Sequence, residues 1–218
     1  MEKRSEQLLK AIVELYIKDA HAIGSQVLAQ DKDFAVSPAT IRNEMMMLET
    51  EGYIFQPHTS AGRIPTIQGY QYYLDNLLSI ANCPDKEKAE LQTAHKQDVR
   101  DLAKLLVGKT NLASIVAFAP SDFYFTGLFN LFSQPEFEDY KMVLSMSQVV
   151  DSLEKAINSI YHNIDKPQVL LGEDNPFSVD CSVVIAPLPA KEKQLLAVLG
   201  PTRMDYNKIL GLFDAIIK

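Results

Sequence analysis

Four histidines are the first residues to test for chemistry, and they assemble into none. His21, His58, His95 and His162 are scattered, with no HExxH and no paired ligand spacing. Neither a Walker loop nor a GxGxxG turn is present. Asp180-Cys181-Ser182 offers a nucleophile, but Cys181 opens a run that reads as a buried strand. Glu173-Asp174-Asn175 is an acidic turn that could hold a cation or a partner, or simply end a strand. These residues predict no enzyme, no metal site and no cofactor.

A second set has the chemistry of base and phosphate recognition. Asn43 can pair with adenine through two hydrogen bonds, Arg42 can read guanine, and Ala39 leaves room for a thymine methyl. Thr40 lies beside them. Ser37 is a helix cap, so its hydroxyl cannot serve fully as both cap and phosphate donor, although a helix N-terminus is itself a phosphate site. His58, Thr59, Ser60 and Arg63 put donors on a tight loop where phosphates would lie. Each has an ordinary alternative: Arg42 could pair with Glu49, Asn43 could face solvent, and the loop could be a plain hairpin. Met46 and Met47 are assigned to packing between helices.

The elements that must carry these residues follow from local rules. Ser37-Pro38 reads as N-cap and first helical position, Ala39 to Glu51 as helix, and Gly52 as its C-terminal stop. Ile41, Met45 and Leu48 share one face; the opposite face carries Ala39, Asn43 and Met46, flanked by Thr40, Arg42 and Met47. Tyr53–Gln56 and Arg63-Ile64-Pro65 read as short strands about the turn Pro57–Gly62. Upstream, Ser5–Lys18 is amphipathic with Leu8, Leu9, Ile12, Val13 and Tyr16, and Gln26–Gln30 is a short helix burying Val27 and Leu28. Helix, short helix, turn, capped helix and ribbon are the plan of a winged helix-turn-helix, with the third helix in the major groove and the ribbon along the backbone.

Composition bounds the rest. A chain of 218 residues, 47% hydrophobic, holds one large or two small domains with a real core. No apolar run approaches the ~18 residues of a membrane helix, and the charged N-terminus shows no signal peptide. Two distant cysteines, Cys83 and Cys181, predict free thiols in a reducing cytoplasm. Net charge is −7, and residues 1–82 alone carry 7 basic and 10 acidic side chains, so non-specific attraction to phosphate is expected to be weak.

Thr66–Ile80 reads as a fourth, almost all-round apolar helix. Asn82-Cys83-Pro84-Asp85 marks the boundary between a domain at 1–82 and another at 83–218. The second begins with one long helix, Lys86–Val107, ended by Gly108. Leu112–Ala119, Gln168–Leu171, Ser182–Ala186 and Leu195–Leu199 read as strands. Phe123–Phe132 is mixed and aromatic. Helices cover Pro135 to about Met146 and Ser147–Asn163, and a last one follows Thr202 and Asp205, spaced as a capping box. The fold class is α+β, with a small α/β domain last.

VSPATIRNEMMMLETEGYIFQPHTSAGRIPT resembles the N-terminal signature of the HrcA family of heat-inducible transcription repressors. FNLFSQPEF, VLLGEDNPF, CSVVIA and LGPTRMDY are similar to successive segments of that family's GAF-like domain. The resemblance implies an inverted-repeat operator upstream of chaperone operons, a homodimer to match it, and a chaperonin that keeps the repressor active. It also implies a dimerisation insert before FNLF, and here LASIVAFAPSDF runs almost directly into that motif. Two rivals follow: a repressor answering to a small ligand, and a chaperonin-interaction module with little DNA binding.

Overall fold

The computed structural model describes residues 1–30, 34, 36–59 and 61–217. They form two compact units, Met1–Ser79 and Ile80–Lys218. The class is α+β.

In the first unit, α1 (Lys3–Asp19) buries Leu8, Leu9, Ile12 and Val13 of the stripe its sequence predicts, while Tyr16 is half-buried. The helix α2 (Ser25–Ala29) buries Leu28 but leaves Val27 49% exposed, correcting the expectation that both are core. Ser25 and Leu28, three positions apart, take the inward face, and Val27 lies off it. The third helix, α3 (Pro38–Thr50), buries Ile41, Met45 and Leu48 against this core. A two-stranded antiparallel ribbon follows, β1 (Ile54–Phe55) and β2 (Ile64–Pro65), pairing Ile54 with Pro65 and Phe55 with Ile64. A further antiparallel bridge joins Arg63 to Ile23 through two backbone hydrogen bonds of 2.9 Å. The expected fourth helix is shorter: α4 (Ile67–Tyr72) runs into one π-helical turn at Tyr73–Leu77. Tyr70 and Tyr73 are buried and Tyr72 is half-buried.

In the second unit the single long helix is two. Asp98 is extended, with φ −154° and ψ 127°, and caps the second helix by accepting the Arg100 amide at 2.8 Å. The pair is α5 (Asp85–Gln97) and α6 (Val99–Thr110). Gly108 lies inside α6, which ends instead at Asn111, in the left-handed region at φ 56°.

The sheet has five antiparallel strands in the order β4-β3-β7-β6-β5. These are β3 (Ala113–Ala119), β4 (Asp122–Thr126), β5 (Gln168–Leu171), β6 (Cys181–Pro187) and β7 (Leu195–Pro201). The aromatic stretch left mixed by sequence contains edge strand β4 and then α7 (Leu128–Phe132), with Gly127 at φ 88° between them. Pro135–Glu138 is a 3-10 turn, followed by α8 (Tyr140–Asp151) and α9 (Leu153–Ile160).

Helices cover both sheet faces. Ala113, Ile115, Ala117, Val183, Ile185, Ala197 and Leu199 pack toward α8 and α9. The alternate face meets α6 and α10 (Tyr206–Ile217), where the hydroxyls of Ser182 and Tyr206 hydrogen-bond at 2.9 Å. Burial on both faces is why β3, β6 and β7 read as continuous apolar runs rather than alternating ones. Asp205, rather than Thr202, caps α10 by accepting the Lys208 amide at 3.0 Å.

Candidate nucleic-acid interface

The start of α3 is built as its sequence dictates. The Ser37 hydroxyl accepts the Thr40 amide at 3.2 Å and lies 2.9 Å from the Thr40 hydroxyl. Ser37 and Thr40 are therefore engaged with each other at the cap. The end of α3 is closed by paired bonds: Gly52 N–H to the Glu49 carbonyl and Tyr53 N–H to the Leu48 carbonyl, each 3.0 Å. This closure needs the left-handed φ of 84° that Gly52 adopts.

Glu49, on the last turn of α3, fastens the ribbon. One carboxylate oxygen accepts the Gln56 amide at 3.1 Å; the other accepts Arg63 Nε and Nη2 at 3.2 and 3.0 Å. The Gln56 side chain in turn donates to the carbonyls of Thr59 and Ala61, at 3.0 and 2.8 Å. So helix, both strands and loop tip form one hydrogen-bonded system. Gly62 sits so close to α2's approach that a Cβ would overlap the Ile23 carbonyl. The sequence puts Arg63 among the donors of the loop and leaves Glu49 as one possible partner of Arg42. Instead Arg63, its side chain 15% exposed, takes Glu49, whose own is 32% exposed. Arg42 is exposed and makes no ion pair among the described residues.

Ala39, Arg42 and Asn43 are all exposed on α3. Arg42, Thr59 and Arg63 line one open groove of about 480 Å3 with Gln26, Val27 and Gln56. Asn43 lines a separate, more apolar hollow with Met46, Met47, Thr50 and Glu51. His58 and Thr59 are exposed at the loop tip; Ser60 lies outside the described residues. Met46 and Met47 are 54% and 58% exposed, which corrects their assignment to interhelix packing. Ile41, Met45 and Leu48 already fill the inward face, leaving no angular room for two more side chains. Glu49 and Gln56 were missed as positioning residues. The signal was slight: an acid in the last turn of a helix, seven residues before a polar strand end.

Elsewhere, Cys181 is buried and its thiol is pushed up to about 12 by burial, which is unsuited to nucleophilic attack. Asn175 donates to the Cys181 carbonyl at 2.9 Å and accepts the Phe177 amide, so this part of the acidic turn closes a strand. Both cysteines are free. Among the described residues no helix is long and apolar enough to cross a membrane.

The model of the HrcA protein C-terminal domain matches residues 74–210. The chain belongs to the HrcA family. A heat-inducible transcription repressor HrcA from Desulforamulus reducens is 26% identical over 330 aligned residues, covering 99% of this chain and 95% of the relative. Its counterpart from Desulfitobacterium hafniense is 25% identical over 327, covering 98% and 95%. Alignments that long against 218 residues leave more than a hundred positions of each HrcA relative without a counterpart here. A solved hypothetical protein, 18% identical, superposes with a TM-score of 0.78 over 100% of this chain and 96% of its own, a likeness of fold.

Proposed function

We propose that this HrcA-family protein is a sequence-specific transcription repressor of heat-inducible chaperone genes, binding double-stranded DNA at an inverted-repeat operator. Residues 1–82 act as a winged helix-turn-helix and residues 83–218 as a GAF-like regulatory domain. The observation that carries this reading is the exposed face of α3, bearing Ala39, Arg42 and Asn43, beside a ribbon tied to that same helix by Glu49. A helix so oriented enters a major groove while the ribbon meets the backbone. Ser37, Thr40, His58, Thr59 and Ser60 are the flanking backbone contacts, and Arg63 positions the ribbon.

An inverted repeat calls for two recognition helices related by a two-fold axis, hence a homodimer. Since the relatives' extra length is missing, the dimer forms through another surface and is reinforced by occupancy of both half-sites. A chaperonin acts as modulator, and the setting is the cytoplasm. The acidic balance of residues 1–82 favours a second reading, a chaperonin-interaction module with little DNA affinity.

Selection of duplexes from a random pool by the full chain at stated salt, followed by sedimentation with the full and half repeat, separates these. The repressor reading predicts an inverted repeat that binds two chains and a half repeat that binds one more weakly. Failure to enrich any sequence favours the interaction module.

A further inference from the structure

Met46 and Met47 stand side by side on the solvent face of α3, both more than half exposed. Large apolar side chains exposed singly need no explanation, but two adjacent ones lining an open apolar hollow mark a contact surface. The hollow is shared with Asn43, one helical turn earlier, and with Thr50, one turn later. Ala39, Asn43 and Met46 or Met47 thus make one continuous stripe, separate from the inward stripe of Ile41, Met45 and Leu48. Thr50 adds no free donor here, because its hydroxyl is bonded back to the Met46 carbonyl at 2.8 Å. Glu51, at the far rim, repels phosphate, so what enters this hollow must present an apolar, uncharged group.

Resting on the DNA-binding reading above, we infer that Met46 and Met47 are specificity-determining residues that read the 5-methyl groups of thymines lying next to the base pair met by Asn43. In the major groove only thymine presents a methyl to an apolar side chain, and the other base edges there are polar. Methionine suits the task because it is unbranched, with three rotatable bonds and a polarisable sulfur that settles against an irregular surface. The pair extends the reading edge past Asn43 toward the C-terminal half of α3. Hydrogen-bonding chemistry alone does not explain what these positions contribute.

The test compares thymine with uracil, which differ by that methyl alone. The duplex recovered by selection is remade with deoxyuridine replacing one thymine at a time. Each is titrated at one salt concentration with the full-length wild-type chain and with Met46→Ala, Met47→Ala and the double variant. Burial of one methyl corresponds to about a fourfold change in affinity. The expected result is one or two positions at which uracil weakens wild-type binding about fourfold, with the sensitivity gone in the double variant. Both side chains lie outside the core, so thermal melting of the variants is expected to match wild type. Equal affinity for every uracil duplex overturns the inference while leaving DNA binding intact. Sensitivity that survives in the double variant assigns the methyl to another residue, Ala39 first, and also overturns it. A change in self-association of the free double variant, without loss of thymine sensitivity, makes the hollow an interface between copies and refutes the assignment. Should no duplex be selected at all, the DNA-binding reading itself fails.

Discussion

Glu49 and Arg63, fourteen positions apart, meet in a forked ion pair in which one carboxylate oxygen takes both Nε at 3.2 Å and Nη2 at 3.0 Å. The other oxygen of Glu49 holds the Gln56 amide, so a single side chain of α3 sets the angle of the ribbon. Whatever α3 reads, the ribbon is carried with it.

That relationship divides the work of two arginines. Arg63 is already neutralised by Glu49, whereas Arg42 stands exposed in the groove without an ion pair among the described residues. Arg42→Ala is expected to reduce the slope of log affinity against log salt by about one unit, because one cation is withdrawn from the DNA surface. Arg63→Ala is expected to leave the slope unchanged and to cost about 1–3 kcal/mol of stability, since a partly buried carboxylate loses its charged donor. Salt titrations and denaturant melts of the two variants check this. A slope change confined to Arg63→Ala reverses the assignment.

Gly62 tests the ribbon from the other side. A Cβ there would lie 2.3 Å from the Ile23 carbonyl, which is held by the bridge to Arg63. Gly62→Ala is expected to lose about 1–3 kcal/mol as the backbone shifts to accommodate the methyl. Specific DNA affinity should fall with it, read by melting and binding on the same preparation. Unaltered stability would show that the loop yields freely.

How much of this was legible in the sequence depends on the range of the forces involved. The cap at Ser37-Pro38 and the stop at Gly52 obey rules spanning four or five residues, and α3 follows them. The buried strands β3, β6 and β7 announce themselves by apolar runs without charge, interrupted only by Ser114 in β3 and Ser182 in β6. The Glu49–Arg63 pair is a tertiary choice among several acids and bases, and no local rule selects it. Asp98 splits a stretch rich in Lys, Gln, Ala and Leu that reads as one helix; its short side chain, able to cap the next turn, hints at the break. β4 hid because its five residues are mostly half-buried at the sheet edge, without alternation. Periodicity puts Met46 and Met47 on or beside the face away from the core; their apolarity suggested packing against another helix, and both are instead exposed.

The junction of α1 with α4 has a pH signature. Tyr72 donates to the Glu6 carboxylate at 2.7 Å, and that bond, with desolvation behind it, pushes the phenol from its ordinary 10.0 to about 12. A folded-state value above the unfolded one means that the contribution is fully present below pH 10. It is lost as pH rises toward about 12. Base denaturation of wild type and Tyr72→Phe is expected to show a steeper loss for wild type across that interval. Parallel curves would mean that the Glu6 bond does not hold in solution.

Asn43 bears the central claim, that α3 reads base sequence. The measurement is the affinity of wild type and Asn43→Ala for the selected inverted repeat and for a scrambled duplex of equal length, at one salt concentration. The account predicts that wild type prefers the repeat by about a thousandfold or more. It also predicts that Asn43→Ala loses about 1–3 kcal/mol on the repeat, with no change on the scrambled duplex and none in melting temperature. Equal affinity of wild type for both duplexes, or an equal loss on both in Asn43→Ala, would contradict it.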